Sequence, residues 1–169
     1  MTETMTAKTT IATPLDPTVN LRILEEGFGP GAWHGADFRA ALADVSPRVA
    51  FWRPGPGRHN IAEIALHHAW CVRSVIAQIT GSAEEAFPLE GADWFGTSDE
   101  KAIRWADVAA LVERQHKRLA AVLDDIGNGT THSSMSETDR FDLVLGVTCH
   151  AVYHAGQVQL IKVLNASEV

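Results

Sequence analysis

Asn60-Ile-Ala-Glu-Ile-Ala-Leu-His-His-Ala-Trp-Cys-Val-Arg-Ser-Val-Ile-Ala-Gln-Ile-Thr-Gly81 carries helix signals from end to end. Asn60 and Glu63 have the spacing of a capping box, with Asn in place of the usual Ser or Thr. Gly81 is the glycine that ends a helix. Between them, Ile61, Ala65, His68, Val72, Val75 and Ile79 recur at helical spacing as an apolar stripe. Ile64, His67, Cys71 and Ser74 form a mixed stripe beside it. No sustained alternation of apolar and polar residues marks a strand here or elsewhere. The only Asn-Gly pair, Asn128–Gly129, sits between helical patterns.

The same punctuation by Gly and Pro extends outward. A first helix is expected from Pro17 to about Gly27, with Asp16 as cap and Pro17 at the first helical position. A short helix is expected from Ala36 to about Asp44, carrying Phe38, Ala41 and Leu42. Residues 53–58, Arg-Pro-Gly-Pro-Gly-Arg, form a loop. Thr97 and Glu100 suggest a second capping box, opening a helix that runs to about Ile126. Thr138 is a cap for a last helix reaching about Leu164. Four long helices and one short one make an all-α fold, a four-helix bundle with an extra short helix after helix 1. Residues 1–14 read as a flexible N-terminal tail and 15–166 as a single domain.

Composition narrows the functional classes. Apolar residues are 46% and charged residues 21% of the 169, a balance that excludes the disordered class for most of the chain. The formal net charge is -7 with no dense Lys/Arg cluster, so nucleic acid is not an expected partner. There is no signal-peptide or membrane-spanning run, which points to a soluble cytoplasmic protein. Two cysteines, Cys71 and Cys149, make no disulfide framework.

Eight histidines stand out. His150 and His154, in Cys149-His-Ala-Val-Tyr-His-Ala-Gly-Gln157, are four residues apart, so both rings leave a helix on one side. Leu143, Val147 and Ile161 lie on roughly the same stripe, which turns the pair toward the interior. Burying two imidazoles is costly unless they are hydrogen-bonded or metal-bound, and this spacing suits two ligands of one divalent ion. The Glu of a zinc-protease helix is missing, so that hydrolytic motif is excluded. A third ligand can come from His67 or His68. Periodicity does not choose cleanly, although a border position between core and cleft favours His67. Three His ligands leave a position open, as catalytic rather than structural sites do. That position can bring a water's pKa to about 7 or hold a thiolate.

These residues resemble the DinB/YfiT-like superfamily of putative metalloenzymes. The resemblance runs from about Asp16 to Leu164. It rests on Gly31-Ala-Trp-His-Gly35, on His59-Asn-Ile-Ala-Glu-Ile-Ala-Leu-His-His-Ala-Trp70 and, most specifically, on His150-Ala-Val-Tyr-His-Ala-Gly-Gln157. It implies a four-helix bundle holding a divalent metal, zinc or nickel, on three histidines. Its register places the ligands on His67, His150 and His154, with Ile64 and Ala69-Trp70 setting the first; His68 falls where the family usually has an aliphatic residue. It further implies homodimers and, in some members, thiol-dependent S-transfer or isomerisation, with a low-molecular-weight thiol as cosubstrate.

Other residues are weighed against plainer roles. Gln157 can orient a histidine or bond a bound water, and Tyr153 can donate to the site or cap the core. Trp33 and His34 can line the cleft mouth. Glu63, one turn before His67, can serve as an acceptor or base, but the capping box already accounts for it. Gly156 suggests close helix packing. Trp70, Trp94 and Trp105 read as core or pocket walls, the cysteines as small hydrophobes, and His59, His116 and His132 as surface or locally bonded residues. The expected function is a metal-dependent transferase or hydrolase of a small-molecule substrate, the alternative a noncatalytic metal- or ligand-binding stress-response module.

Overall fold

The computed structural model describes residues 17–167. The expected N-terminal tail and the Asp16 cap lie outside them. Among the described residues there are six helices and no strand: α1 (Pro17–Phe28), α2 (Phe38–Leu42), α3 (Pro47–Ala50), α4 (Ile61–Thr80), α5 (Trp105–Gly127) and α6 (Glu137–Ala166). The four long ones pack in a ring, α1 on α5, α5 on α4, α4 on α6 and α6 back on α1. This is the four-helix bundle that the pattern predicts. No helix among the described residues is long and apolar enough to cross a membrane.

Local chemistry sets the helix ends. The Asn60 side chain accepts the Glu63 N–H at 2.9 Å, and Gly81 closes α4 in the left-handed region at φ 67°. The reciprocal half of the capping box is absent, because the Glu63 carboxylate is engaged elsewhere. At α6 the cap is Ser136 rather than Thr138: Ser136 Oγ accepts the Asp139 N–H at 3.1 Å and donates to its carboxylate at 2.7 Å.

The expected start of α5 at Thr97 is wrong by about two turns. The Thr97 N–H is taken by Glu63 Oε1 at 2.9 Å, so Glu100 cannot close a capping box on it. Glu100 Oε1 instead accepts the N–H of Trp105, where α5 begins. The short helix is trimmed to Phe38–Leu42, capped by Asp37, and α3, capped by Ser46, is an addition.

Two clusters fill the interior. One contains Leu24, Val72, Ile76, Ile79, Leu119, Leu123, Val144 and Val147. The other contains Phe28, Phe38, Ile61, Leu66, Val108, Val112, Ala151, Ala155 and Val158. The close helix approach expected at Gly156 occurs at Gly27 instead. A Cβ at Gly27 would lie 2.9 Å from the Thr148 carbonyl oxygen on α6, whereas one at exposed Gly156 would meet nothing within 4 Å.

Candidate metal centre

α4 and α6 are neighbours in the ring, and each contributes histidines to the seam between them. His67 Nε2 is 3.0 Å from His150 Nε2, and His154 Nε2 is 2.9 Å from the same atom. Ligands about 2.0–2.1 Å from a common ion, at right or tetrahedral angles, sit roughly 3 Å apart. The two separations from His150 have that spacing, all three ligand atoms lie within 4.8 Å of one another, and the group can hold a metal ion.

The opposite face of each ring is tied down by a different partner. His67 Nδ1 lies 3.0 Å from Asp93 Oδ1 and 3.1 Å from the Asp93 carbonyl oxygen. His154 Nδ1 lies 2.6 Å from Gln157 Oε1, while Gln157 Nε2 donates to Tyr153 Oη at 3.0 Å. Oxygen acceptors on both Nδ1 atoms require protons there, which leaves both Nε2 atoms as lone pairs. His150 Nδ1 is 3.2 Å from His68 Nδ1. Three Nε2 atoms therefore converge with at most one proton among them, a donor set that a cation completes.

Burial disfavours the charged form of His150, His154 and His68. The His150 imidazole is pushed down to about 4, first by desolvation and then by its neighbours His154 and His67. His154 is lowered by desolvation, which the Gln157 hydrogen bond partly opposes. His68 is buried and held well below the ordinary imidazole range by desolvation, and its ring sets its edge against Phe38 at 4.6 Å. Ligands that are already neutral release no proton on taking up a metal. Among the three converging residues only His150 is partly exposed, so the open side lies on its flank.

Asp93 is a residue the sequence reasoning passed over. It is central to a tight turn, with φ 65° and the Trp94 N–H bonded to the Ala92 carbonyl oxygen at 2.8 Å. The turn aims the carboxylate at a histidine 26 positions earlier, and its one sequence trace is the turn-forming Gly91-Ala-Asp93. The next residue, Trp94, stacks on His67 with centroids 4.0 Å apart and on His59 at 3.7 Å. Trp94 thus packs against both imidazoles. It also gives His59 a structured place: its Nδ1 bonds Glu63 Oε2 at 2.9 Å.

The remaining candidates lie apart from the three rings or serve other ends. Glu63 is buried and bonds Arg53, His59 and the Thr97 N–H, not His67. These bonds hold its carboxyl below the usual range against the opposing effect of burial. Trp33 is 93% exposed; its N–H goes to the Glu26 carboxylate, and His34 Nε2 meets the Glu26 carbonyl oxygen at 2.8 Å. Both are fixed to the end of α1 instead of to the histidines. His116, expected near the surface, is buried and stacks on Phe28 at 3.9 Å. Cys71 Sγ is 3.9 Å from His67 Nε2 and joins His67 and Asp93 in a second group within ligand reach. Burial pushes its thiol up to about 11, so the free thiol is protonated at neutral pH.

A family model described as the DinB superfamily matches residues 32–158, about three-quarters of the chain. No curated protein and no solved structure matches.

Proposed function

The chain belongs to the DinB superfamily, and on that premise we propose that it is a metal-dependent enzyme with His67, His150 and His154 as ligands. Its reaction is thiol S-transfer or hydrolysis of a small substrate. One observation carries the reading: the convergence of three Nε2 atoms within hydrogen-bond distance, two of them stripped of protons by acceptors behind the rings.

A divalent ion, zinc or nickel on the family resemblance, would supply Lewis acidity and an open position when bound to these imidazole donors. The protein's own residues do the rest. Asp93 and Gln157 select the tautomers of His67 and His154 and fix their ring planes. Trp94 packs against the His67 and His154 rings, and Phe38 packs against His68 behind His150. The chain lacks a ready thiolate of its own, since Cys71 stays protonated and Cys149 lies on the exposed face of α6. A transferred thiol therefore comes from a low-molecular-weight cosubstrate. A homodimer is part of this reading; exposed Leu145 and Val163 on α6 give it an apolar face, and light scattering of the eluted protein tests it.

The test is turnover. A panel of small thiols with an electrophile, and a panel of small esters and amides, is offered to metal-loaded and chelator-treated protein. Metal-dependent product in one panel supports the proposal. Stoichiometric metal with no turnover in either panel points to a noncatalytic module.

A further inference from the structure

We propose that a cleft of about 580 Å³, lined by His59 and Gln157 next to the candidate metal centre, binds a small organic acid with an apolar body, its anionic head on Arg58. The apolar side is made by Ile64 of α4 with Leu160 and Leu164 of α6. Leu160 is 59% and Leu164 40% exposed, so an aliphatic or aromatic body laid there removes apolar surface from water.

The polar groups of the cleft are mostly committed. Gln157 gives its carbonyl to His154 and its amide to Tyr153. His59 gives Nδ1 to Glu63. Arg58 differs from its near neighbour Arg53, whose guanidinium is held by Glu63. Among the described residues no carboxylate forms an ion pair with Arg58. In a chain of net charge -7, an unpaired guanidinium at the edge of an apolar cleft favours a carboxylate, sulfonate or phosphate head.

Two walls of the cleft reach the candidate metal centre. Gln157 is bonded to His154, and His59 stacks on Trp94, which stacks on His67. That the bound acid is the substrate rests on the metal-enzyme reading above; the preference for an acid rests on Arg58 alone.

The experiment titrates 4-phenylbutyrate and its uncharged amide into the full-length protein, with and without metal, following backbone amide shifts by NMR. The acid is expected to bind about fivefold more tightly than the amide, the upper range for an exposed ion pair. Arg58→Gln should abolish that preference and leave amide binding unchanged. Leu160→Asp should weaken both probes. The shifts should map to residues lining the cleft. An Arg58-dependent preference that persists in metal-free protein upholds the site even if the metal reading fails. A preference that vanishes with the metal and survives Arg58→Gln overturns the proposal, because the ion then holds the acid. Equal binding of acid and amide overturns it as well.

Discussion

In the half of the bundle built on Val72, Ile79, Leu119, Leu123 and Val144, the buried cluster is aliphatic. The half built on Ile61, Leu66, Val108 and Val158 also buries Asn60, Glu63, His67, His68 and His154. The aliphatic half gains most of its stability from apolar area, and its buried hydroxyls, Thr148 and Ser133, donate to the Val144 and Ile79 carbonyls. The polar half gives up part of that gain and needs a partner for each buried nitrogen and oxygen. Some of those partners come from outside the helices, Asp93 and the Thr97 backbone from the long connection and Arg53 from the Pro/Gly loop, while Gln157 and His150 of α6 supply those of His154 and His68. The converging histidines belong to the polar half, where a turn residue of the long connection, Asp93, bonds His67 from behind.

The largest effect expected from this contrast is on the aliphatic side. Leu119→Ala should cost about 2–5 kcal/mol in denaturant unfolding, yet leave metal affinity as it was. A large fall in metal affinity would mean the two halves are not separable.

Asp93→Asn should do the reverse. The carboxylate is exposed, so metal-free stability should hardly change, while metal affinity measured by competition with a chromophoric chelator should fall about 10–100-fold. Unchanged affinity would remove Asp93 from the site's support.

The helix punctuation in the chain reveals much of the aliphatic half and little of the polar half's supports. Asn60, Gly81 and the 3.6-residue spacing locate α4 because capping and burial there are local. Thr97 and Glu100 mislead for the opposite reason: Glu63, 34 positions away, claims the N–H that a local cap would have used. His150 and His154 are readable as a pair since one helix places both. Asp93 is not, because only the fold brings its turn to His67. His116 reads as a surface residue for want of a partner in its own helix, and Phe28 supplies one from α1.

Acid should expose the imidazoles. Burial, reinforced by the Arg39 charge, depresses His116 to about 4 in the folded chain, whereas the unfolded chain takes up the proton near the ordinary 6.5. Stability is therefore highest above about 6.5, falls as the pH drops from there, and levels off for this group below about 4. His116→Phe should flatten part of that fall in thermal unfolding followed across pH 7 to 4. An identical pH profile would contradict the burial account.

The smallest effect concerns glycine. Gly156→Ala on the open face of α6 should stabilise the chain by about 1 kcal/mol, and Gly27→Ala should destabilise it, because the added methyl meets the Thr148 backbone. Paired melting curves check the signs.

The most direct test is metal content. Protein purified in metal-replete buffer should carry one divalent ion per chain by elemental analysis. His67→Ala, His150→Ala and His154→Ala should each lose it while remaining helical, and His68→Gln should keep it. A folded wild-type protein without the ion, or a His150→Ala protein that retains it in full, would contradict the account.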